Sequence, residues 1–293
     1  MMWLKWVGPA LCLLAAAGAG ASTYGAKRWS GKAWMLARGL DTARADAGAE
    51  PRPTHHDRRE LEGLPAPVQR YFRTVLRDGQ PVIAGAVIEL AGSFNMSADG
   101  EQWKRFTSRQ RVATHRPGFL WDAQIAMFPG LTVRVIDSYI AGQGLLHAAL
   151  LGLFTMADTR GGGEIARGEL MRYFAEAPWY PTALLPSQGV RWEAVDDRSA
   201  NATLVDGAFT LTLLFRFNDV GLIDSFRAES RGGAGAGAGK DIVMLPWEGS
   251  FSNYQQRDGM MVPWAGEVAW MRPEGRKPYF AATVTALTYQ FVA

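Results

Sequence analysis

The residues of this sequence best suited to chemistry are four charged or aromatic side chains spaced three or four positions apart. Glu169, Arg172, Glu176 and Trp179 would share one face of a helix. Two helical turns, or roughly 10 Å, separate Glu169 from Glu176, which is wide for paired catalytic carboxylates, held at about 6.5–9.5 Å in inverting glycosidases. The spacing therefore favours a structural network in which Arg172 bridges both carboxylates. Acid or base catalysis by either glutamate is the alternative.

The other candidate motifs do not match a catalytic, metal or cofactor site. The glycine-rich stretch 232–240 resembles a phosphate-binding loop, but Ala234 and Asp241 occupy two positions that the template fixes. The four histidines lack metal-ligand spacing, and Cys12 is the only cysteine. Basic residues of the predicted strands lack the interleaved aromatic residues that stack on bases. We therefore predict no catalytic residue, no metal, no cofactor and no nucleic-acid partner.

Two segments have the apolar spacing of helices. Residues 66–78 place apolar side chains opposite basic ones, and Asp78-Gly79 marks their end. This helix is predicted to pack as a lid on a sheet, with a position on a membrane interface as the alternative. Residues 164–177 form the second predicted helix, which ends at Pro178.

From about residue 80 onward, apolar and polar residues alternate, as in antiparallel strands with one face in a core. The clearest run is residues 209–217, where every second side chain is Phe or Leu. About ten such strands follow one another, and a meander of that length must curl or close. The predicted fold is therefore mainly β: a curved antiparallel sheet, or open half-barrel, closed by one or two helices.

The N-terminal segment suggests a membrane anchor. Residues 6–26 contain no charged side chain, and about 21 residues of helix, or roughly 31 Å, suffice to cross a bilayer core. Aromatic residues flank both ends, as expected at membrane interfaces. We predict a transmembrane helix over residues 1–30, with a cleaved signal peptide ending near Ala19-Gly20-Ala21 as the alternative.

The rest of the chain divides into a linker and one domain. Residues 40–60 are charged and rich in Ala, Pro and Arg, without an apolar period. We therefore predict a flexible linker over residues 31–62. Residues 63–293 are predicted to form a single half-barrel domain, a size at which all-β chains often fold as one unit.

Several stretches of the sequence are distinctive when taken together. They are the segment 169–186, which reads ELMRYFAEAPWYPTALLP, and shorter segments at 64–71, 119–123 and 137–139. Through them, residues 62–293 resemble a family of bacterial proteins of unknown function, so this resemblance implies no catalytic roles. The order of elements is also similar to that of lipoprotein carriers of the LolA/LolB type. That topology implies an apolar cavity that receives acyl chains, although fold alone does not fix function.

These features lead to one main functional hypothesis and two alternatives. The main hypothesis is an envelope protein that binds a lipid, an acyl chain or another apolar ligand in the half-barrel, since such pockets are mostly apolar with a few orienting polar groups. The predicted ligand-binding residues are Trp121, Tyr139, Arg172, Glu176, Trp179 and Phe215. The first alternative is an enzyme that acts on a lipid-like metabolite through Glu169 or Glu176. The second is a scaffold that docks partner proteins through an exposed apolar patch.

Two observations lead to different predictions for the side of the membrane on which the domain lies. Basic residues follow the charge-free segment, which favours a cytoplasmic domain. The carrier-like topology implies a periplasmic one. We expect a single-pass protein of the bacterial inner membrane whose domain lies in the periplasm.

Overall fold

The computed structural model describes residues 4–45, 53–97, 100–233 and 243–292, without the side chains of residues 4–17, 19 and 233. Three α-helices occur in this part of the chain: α1 (Leu4–Ala45), α2 (Ala66–Val75) and α3 (Gly163–Ala175). Thirteen strands accompany them: β1 Ile83–Asn95, β2 Trp103–Ala113, β3 Gly118–Phe128, β4 Leu131–Ile140, β5 Gln143–Leu150, β6 Phe154–Gly161, β7 Arg191–Asp196, β8 Ser199–Asp206, β9 Phe209–Phe217, β10 Ile223–Gly233, β11 Val243–Arg257, β12 Met260–Arg272 and β13 Gly275–Phe291.

The strands form one sheet, in the order β6-β5-β4-β3-β2-β1-β13-β12-β11-β10-β9-β8-β7. Every pair of neighbours is antiparallel, and the first and last strands of the chain pair in the middle of the sheet. In the part of the chain that the structure describes, the edges β6 and β7 are not paired with each other, so the sheet is open. The prediction of a mainly β, open, curved antiparallel sheet is therefore confirmed, with more strands than the roughly ten expected.

Helix α3 and three 3-10 helices connect the two edges of the sheet. The 3-10 helices are Ala177–Trp179, Pro181–Leu184 and Pro186–Gln188, and each has a proline in its first turn, where no amide donor is needed. Helix α3 contacts β3, β4 and β5 on one side and β9 and β10 on the other. It therefore lies across the concave face of the sheet, which we call the inner face.

The main core lies between this inner face and the helices that cover it. Phe119 and Phe215 of the sheet and Phe174 of α3 are almost wholly buried there. Helix α2 buries Val68, Tyr71, Phe72 and Val75 in the same core. The prediction that this helix packs as a lid on the sheet is thus confirmed.

Helix α1 packs on the opposite, outer face of the sheet. Trp29 is 2% exposed, donates a hydrogen bond from Nε1 to Asp122 at 2.9 Å and stacks on His147. Leu40 is also buried, against Gly118. A second, smaller core therefore joins α1 to β2–β5.

The structure bears on the N-terminal predictions in two ways. None of the helices in the described residues is apolar over a length sufficient to cross a membrane. Residues 31–45 of the predicted linker belong to α1, and a 3-10 helix occupies Arg58–Leu61 of the same segment. Residues 1–3 of the predicted anchor and 46–52 of the predicted linker lie outside the described residues.

Candidate functional site

Arg172 lies near the end of α3 and connects this helix to the inner face of the sheet. Its Nη1 is 2.7 Å from Oδ2 of Asp137 on β4, and its Nε is 2.8 Å from Oε1 of Glu176. Gln110 of β2 donates from Nε2 to the other oxygen of Glu176 at 2.6 Å. The guanidinium therefore fixes the helix against two strands through charge-assisted hydrogen bonds.

Aromatic rings surround the same guanidinium. Its central carbon lies 4.7 Å from the ring centre of Trp121 and 5.1 Å from that of Phe119. Both residues face inward from β3. The structural prediction for Arg172 is thus correct for Glu176, whereas its second partner is Asp137 and not Glu169.

Glu169 lies one turn before Arg172 and is 4% exposed. Burial, together with the nearby Asp137 carboxylate, raises the pKa of Glu169 to about 8. Burial also raises the pKa of Asp137. Within the described residues, Oε2 of Glu169 has no hydrogen-bond partner. Glu169 is therefore mainly protonated at neutral pH, because an ionised carboxylate there would be poorly solvated.

Arg231 brings a second buried cation to the inner face, from β10. This residue is 8% exposed, and its guanidinium carbon lies 4.2 Å from the ring centre of Trp247 and 5.5 Å from that of Trp270. Its positive charge acts to lower the pKa of Asp137 and of Glu169, against the larger and opposite effect of burial. We call the following set the polar cluster: Gln110, Asp137, Glu169, Arg172, Glu176 and Arg231.

An aromatic row crosses the inner face from Arg231 of β10, over β11, β12 and β13, to Phe94 of β1. Trp247 donates from Nε1 to the hydroxyl of Tyr279 at 3.0 Å, and Tyr279 stacks on Trp270 with ring centres 6.0 Å apart. Phe94, near the end of β1, lies 5.7 Å from Tyr279. Trp270, Tyr279 and Phe94 are only partly buried, so the row is buried at Arg231 and more open at Phe94.

The end of the sheet at which β1 ends also carries exposed apolar side chains. Phe128 is 67% exposed, Phe154 65% and Met156 55%, and we call these three residues the apolar rim. They lie beside the β3–β4 and β5–β6 turns, which the strand register places at one end of the sheet. Exposed apolar side chains grouped at one end of a sheet often mark a contact surface.

The predicted ligand-binding residues are not all in one place. Trp121, Arg172 and Glu176 meet in the polar cluster, and Tyr139 pairs across the strands with Phe119 beside it. The hydroxyl of Tyr139 donates to Asp206. Trp179 donates to the carbonyl of Pro263, and Phe215 packs on Phe174 and Trp192, in other parts of the core. A ligand-binding role for the six residues stays a prediction.

A second concave surface lies on the outer face. It is a groove of about 430 Å³ over β1, β11, β12 and β13, lined by small side chains such as Ala91, Ala281 and Ser252. None of the six predicted residues lines it. The polar cluster and the aromatic row therefore remain the candidate site.

Sequence reasoning missed Gln110, Asp137 and Arg231. A signal for the first two exists in the alternation of the strands. Asp137 is an even number of residues from the apolar Val133 and Val135 and faces the same side of the sheet. The same holds for Gln110 and Val112. A polar residue at an inward position is costly to bury unless it has a partner, so such positions indicate an internal polar site.

Similarity to known proteins is limited. The family model described as a family of unknown function, DUF6920, matches residues 62–289. No curated protein matches the chain. A LolA superfamily protein from Nitrosomonas europaea is 11% identical and has a TM-score of 0.40, with 78% of this chain and 93% of that one covered.

A second solved structure is similar over a comparable part of the chain. It is a beta-barrel-like protein of a domain of unknown function from Brucella abortus, 9% identical, with a TM-score of 0.21 and coverage of 74% of this chain and 100% of that one. At these scores neither structure indicates a function for this chain.

Proposed function

Because the chain belongs to the DUF6920 family, a family of unknown function, we propose a function from the geometry of its own site: it binds an amphiphile on the inner face of its sheet. The observation that carries this proposal is the aromatic row, which connects the buried Arg231 to the more open Phe94, near the end of the sheet that carries the apolar rim. An apolar chain would lie along the aromatic row, and its polar end would reach the polar cluster. Apolar sites with a few converging polar groups are typical of small-molecule binding.

The position of α1 supports a membrane as the source of this ligand. At Gly25 the helix passes so close to Leu151, in the β5–β6 turn, that a Cβ would be 2.1 Å from the carbonyl oxygen. Residues 4–24 thus continue α1 beyond the end of the sheet that carries the apolar rim. These residues include most of the charge-free segment. We propose that this segment anchors the protein to a membrane and that the apolar rim faces the bilayer, with the domain in the periplasm.

An enzyme that uses Glu169 as a general acid is the second candidate. The observation in its favour is the raised pKa, since a general acid must hold its proton near the working pH. Glu176 does not fit this role, because it is ion-paired to Arg172 and accepts a hydrogen bond from Gln110. We favour binding, because the groups around Glu169 are charges and aromatic rings suited to holding a ligand.

Tryptophan quenching by a spin-labelled fatty acid, doxyl-stearate, tests amphiphile binding in the full-length chain. Wild type should show saturable quenching, since Trp247 and Trp270 line the proposed path. Replacing Phe154 and Met156 together by Asp should weaken the apparent affinity about tenfold or more, because charged side chains repel an acyl chain at the entrance.

The matched control replaces two exposed apolar residues away from the apolar rim, Val195 and Val205, which are 51% and 49% exposed. Their Asp variants should bind as wild type does. Absence of saturable quenching in wild type would refute amphiphile binding. An equal loss in the control would refute entry at the apolar rim.

A further inference from the structure

The two arginines of the polar cluster differ in how their charges are matched. Arg172 has two carboxylates within 2.8 Å. Arg231 has no carboxylate within ion-pair distance among the residues that the structure describes, and its Nε has no hydrogen-bond partner there. Buried charges are normally paired, whereas among the described residues Arg231 lies against aromatic rings and has no ion-pair partner.

Other unpartnered polar atoms lie around the same interior. Across the described ranges they include Ser108 Oγ, Trp121 Nε1, Asp137 Oδ1 and Glu169 Oε2, all with negligible exposure. Trp121 and Asp137 are direct neighbours across β3 and β4. Native proteins leave few buried polar groups without a partner, so this concentration under α3 needs a physical explanation.

The chemistry of these atoms is that of donors. Arg231 Nε, Trp121 Nε1 and the hydroxyl of Ser108 donate hydrogen bonds, and a protonated Glu169 also carries a donor. Only Asp137 Oδ1 is an obligatory acceptor when this group is ionised. Because Glu169 keeps its proton, it does not neutralise the charge of Arg231. A donor-rich interior with an unpaired cation is suited to an oxyanion.

We propose that Arg231 and its neighbouring donors bind the oxyanion head of a single-chain amphiphile, a carboxylate or a phosphate, whose apolar chain follows the aromatic row. This inference rests on the proposed amphiphile-binding function and adds the class of head group. Trp247 and Trp270 hold the guanidinium in place, and Glu169 contributes a proton donor. The head group supplies the counter-charge for Arg231.

The test compares two probes that have the same alkyl chain and different head groups with two anions that have no such chain. Palmitate and hexadecanol have the same number of carbons, whereas acetate and inorganic phosphate have no chain. Affinities for the full-length protein are measured by displacement of doxyl-stearate from the wild type and from two variants. Arg231→Met keeps the apolar bulk of the side chain and removes its charge. Arg227→Gln, on the outer side of β10, is the matched control.

Wild type is expected to bind palmitate about tenfold or more tightly than hexadecanol, since hydrogen bonds to charged groups are worth about that factor or more. In Arg231→Met this preference should disappear through weaker palmitate binding, with hexadecanol affinity unchanged. Arg227→Gln should keep it. Trp121→Phe, which removes only one donor, should reduce the preference by a smaller factor.

The remaining outcomes separate the two proposals. If neither long-chain probe binds wild type, amphiphile binding itself fails. If both bind equally well and Arg231→Met changes nothing, amphiphile binding stands and the head-group site is wrong. If acetate or inorganic phosphate displaces the probe as well as palmitate does, the site holds a free anion and the amphiphile assignment is overturned.

Discussion

At the scale of single residues, the polar cluster combines matched and unmatched charges within one apolar interior. Arg172 and its two carboxylates satisfy one another, which makes them a structural connection between α3 and the sheet. Glu169 and Arg231 have no such partner in the residues described. A buried ionisable group without a partner costs folding free energy, and an apolar side chain at the same position would make the fold more stable. Such a group is therefore a candidate for function.

Glu169 gives a prediction for the pH dependence of stability. Its folded pKa of about 8 lies above its ordinary value of 4.5, so the folded protein retains a proton that the unfolded chain releases. The stability of wild type should therefore fall as the pH rises from 4.5 to 8. In Glu169→Gln the part of this fall that Glu169 causes should be absent, and the part that the raised pKa of Asp137 causes should remain. The variant should be more stable than wild type at pH 8 by on the order of 3 kcal/mol, and similar to it at pH 4.5.

Urea denaturation of both proteins at pH 4.5, 6 and 8 measures this difference. Glu164→Gln serves as the control, because Glu164 is an exposed residue on the first turn of the same helix. A Glu169→Gln effect of the same size at every pH would show that packing, and not proton binding, causes it.

The sequence predicted only part of the site, for a physical reason. Arg172 and Glu176 could be paired because residues four apart on a helix are neighbours. Asp137 and Arg231 come from strands that lie far away in the chain, and their approach depends on the curvature of the sheet. Local spacing contains no information on that curvature, so only the unusual polarity of an inward position could have indicated Asp137.

At the scale of elements, the helices over the inner face were easier to predict than α1. Helix α2 has a complete apolar face, and Pro178 fixes the end of α3, so both follow from periodicity and turn chemistry. The packing of α1 was missed because its composition there is charged and alanine-rich. The apolar positions Trp29, Ala33, Leu36, Ala37 and Leu40 nevertheless recur at helical spacing, and this stripe is the signal for its position on the sheet.

Glycines in α1 provide a test of that packing. A Cβ on Gly25 would lie 2.1 Å from the backbone of Leu151, whereas nothing lies within 4 Å of one on Gly31. Gly25→Ala should therefore destabilise the contact between α1 and the β5–β6 turn. Gly31→Ala should stabilise the protein by up to about 1 kcal/mol, because alanine favours the helix.

Both variants can be compared by urea denaturation and by the fluorescence of Trp29, which the helix holds against His147. Equal stabilisation by the two substitutions would mean that α1 does not approach the sheet at Gly25. It would also remove the support that this contact gives to the position of residues 4–24.

At the scale of the whole molecule, β13 joins two parts of the sheet that would otherwise be separate meanders. It pairs with β1 on one side and with β12 on the other, near positions where Ala282 faces both Gly92 and Gly266. The main core contains residues from both parts. The pairing of β1 with β13 could not be predicted from the sequence, because the strands share one alternating pattern. Which strands become neighbours depends on long-range register.

The central position of β13 predicts a single cooperative unfolding transition for the domain. Ala282→Pro removes an amide donor in the middle of the sheet and should lower the free energy of unfolding by about 3 kcal/mol or more, since a buried polar group left unpaired costs about 1–3 kcal/mol by itself. Ala194→Pro, in the edge strand β7, should cost less, because β8 is the only described strand that pairs with β7. Circular dichroism and tryptophan fluorescence should give coincident transitions for wild type.

Two separate transitions, or equal losses in both variants, would show that the parts of the sheet are stable independently. The site would then depend on how two bodies meet, since Asp137 and Arg231 lie on opposite sides of β13.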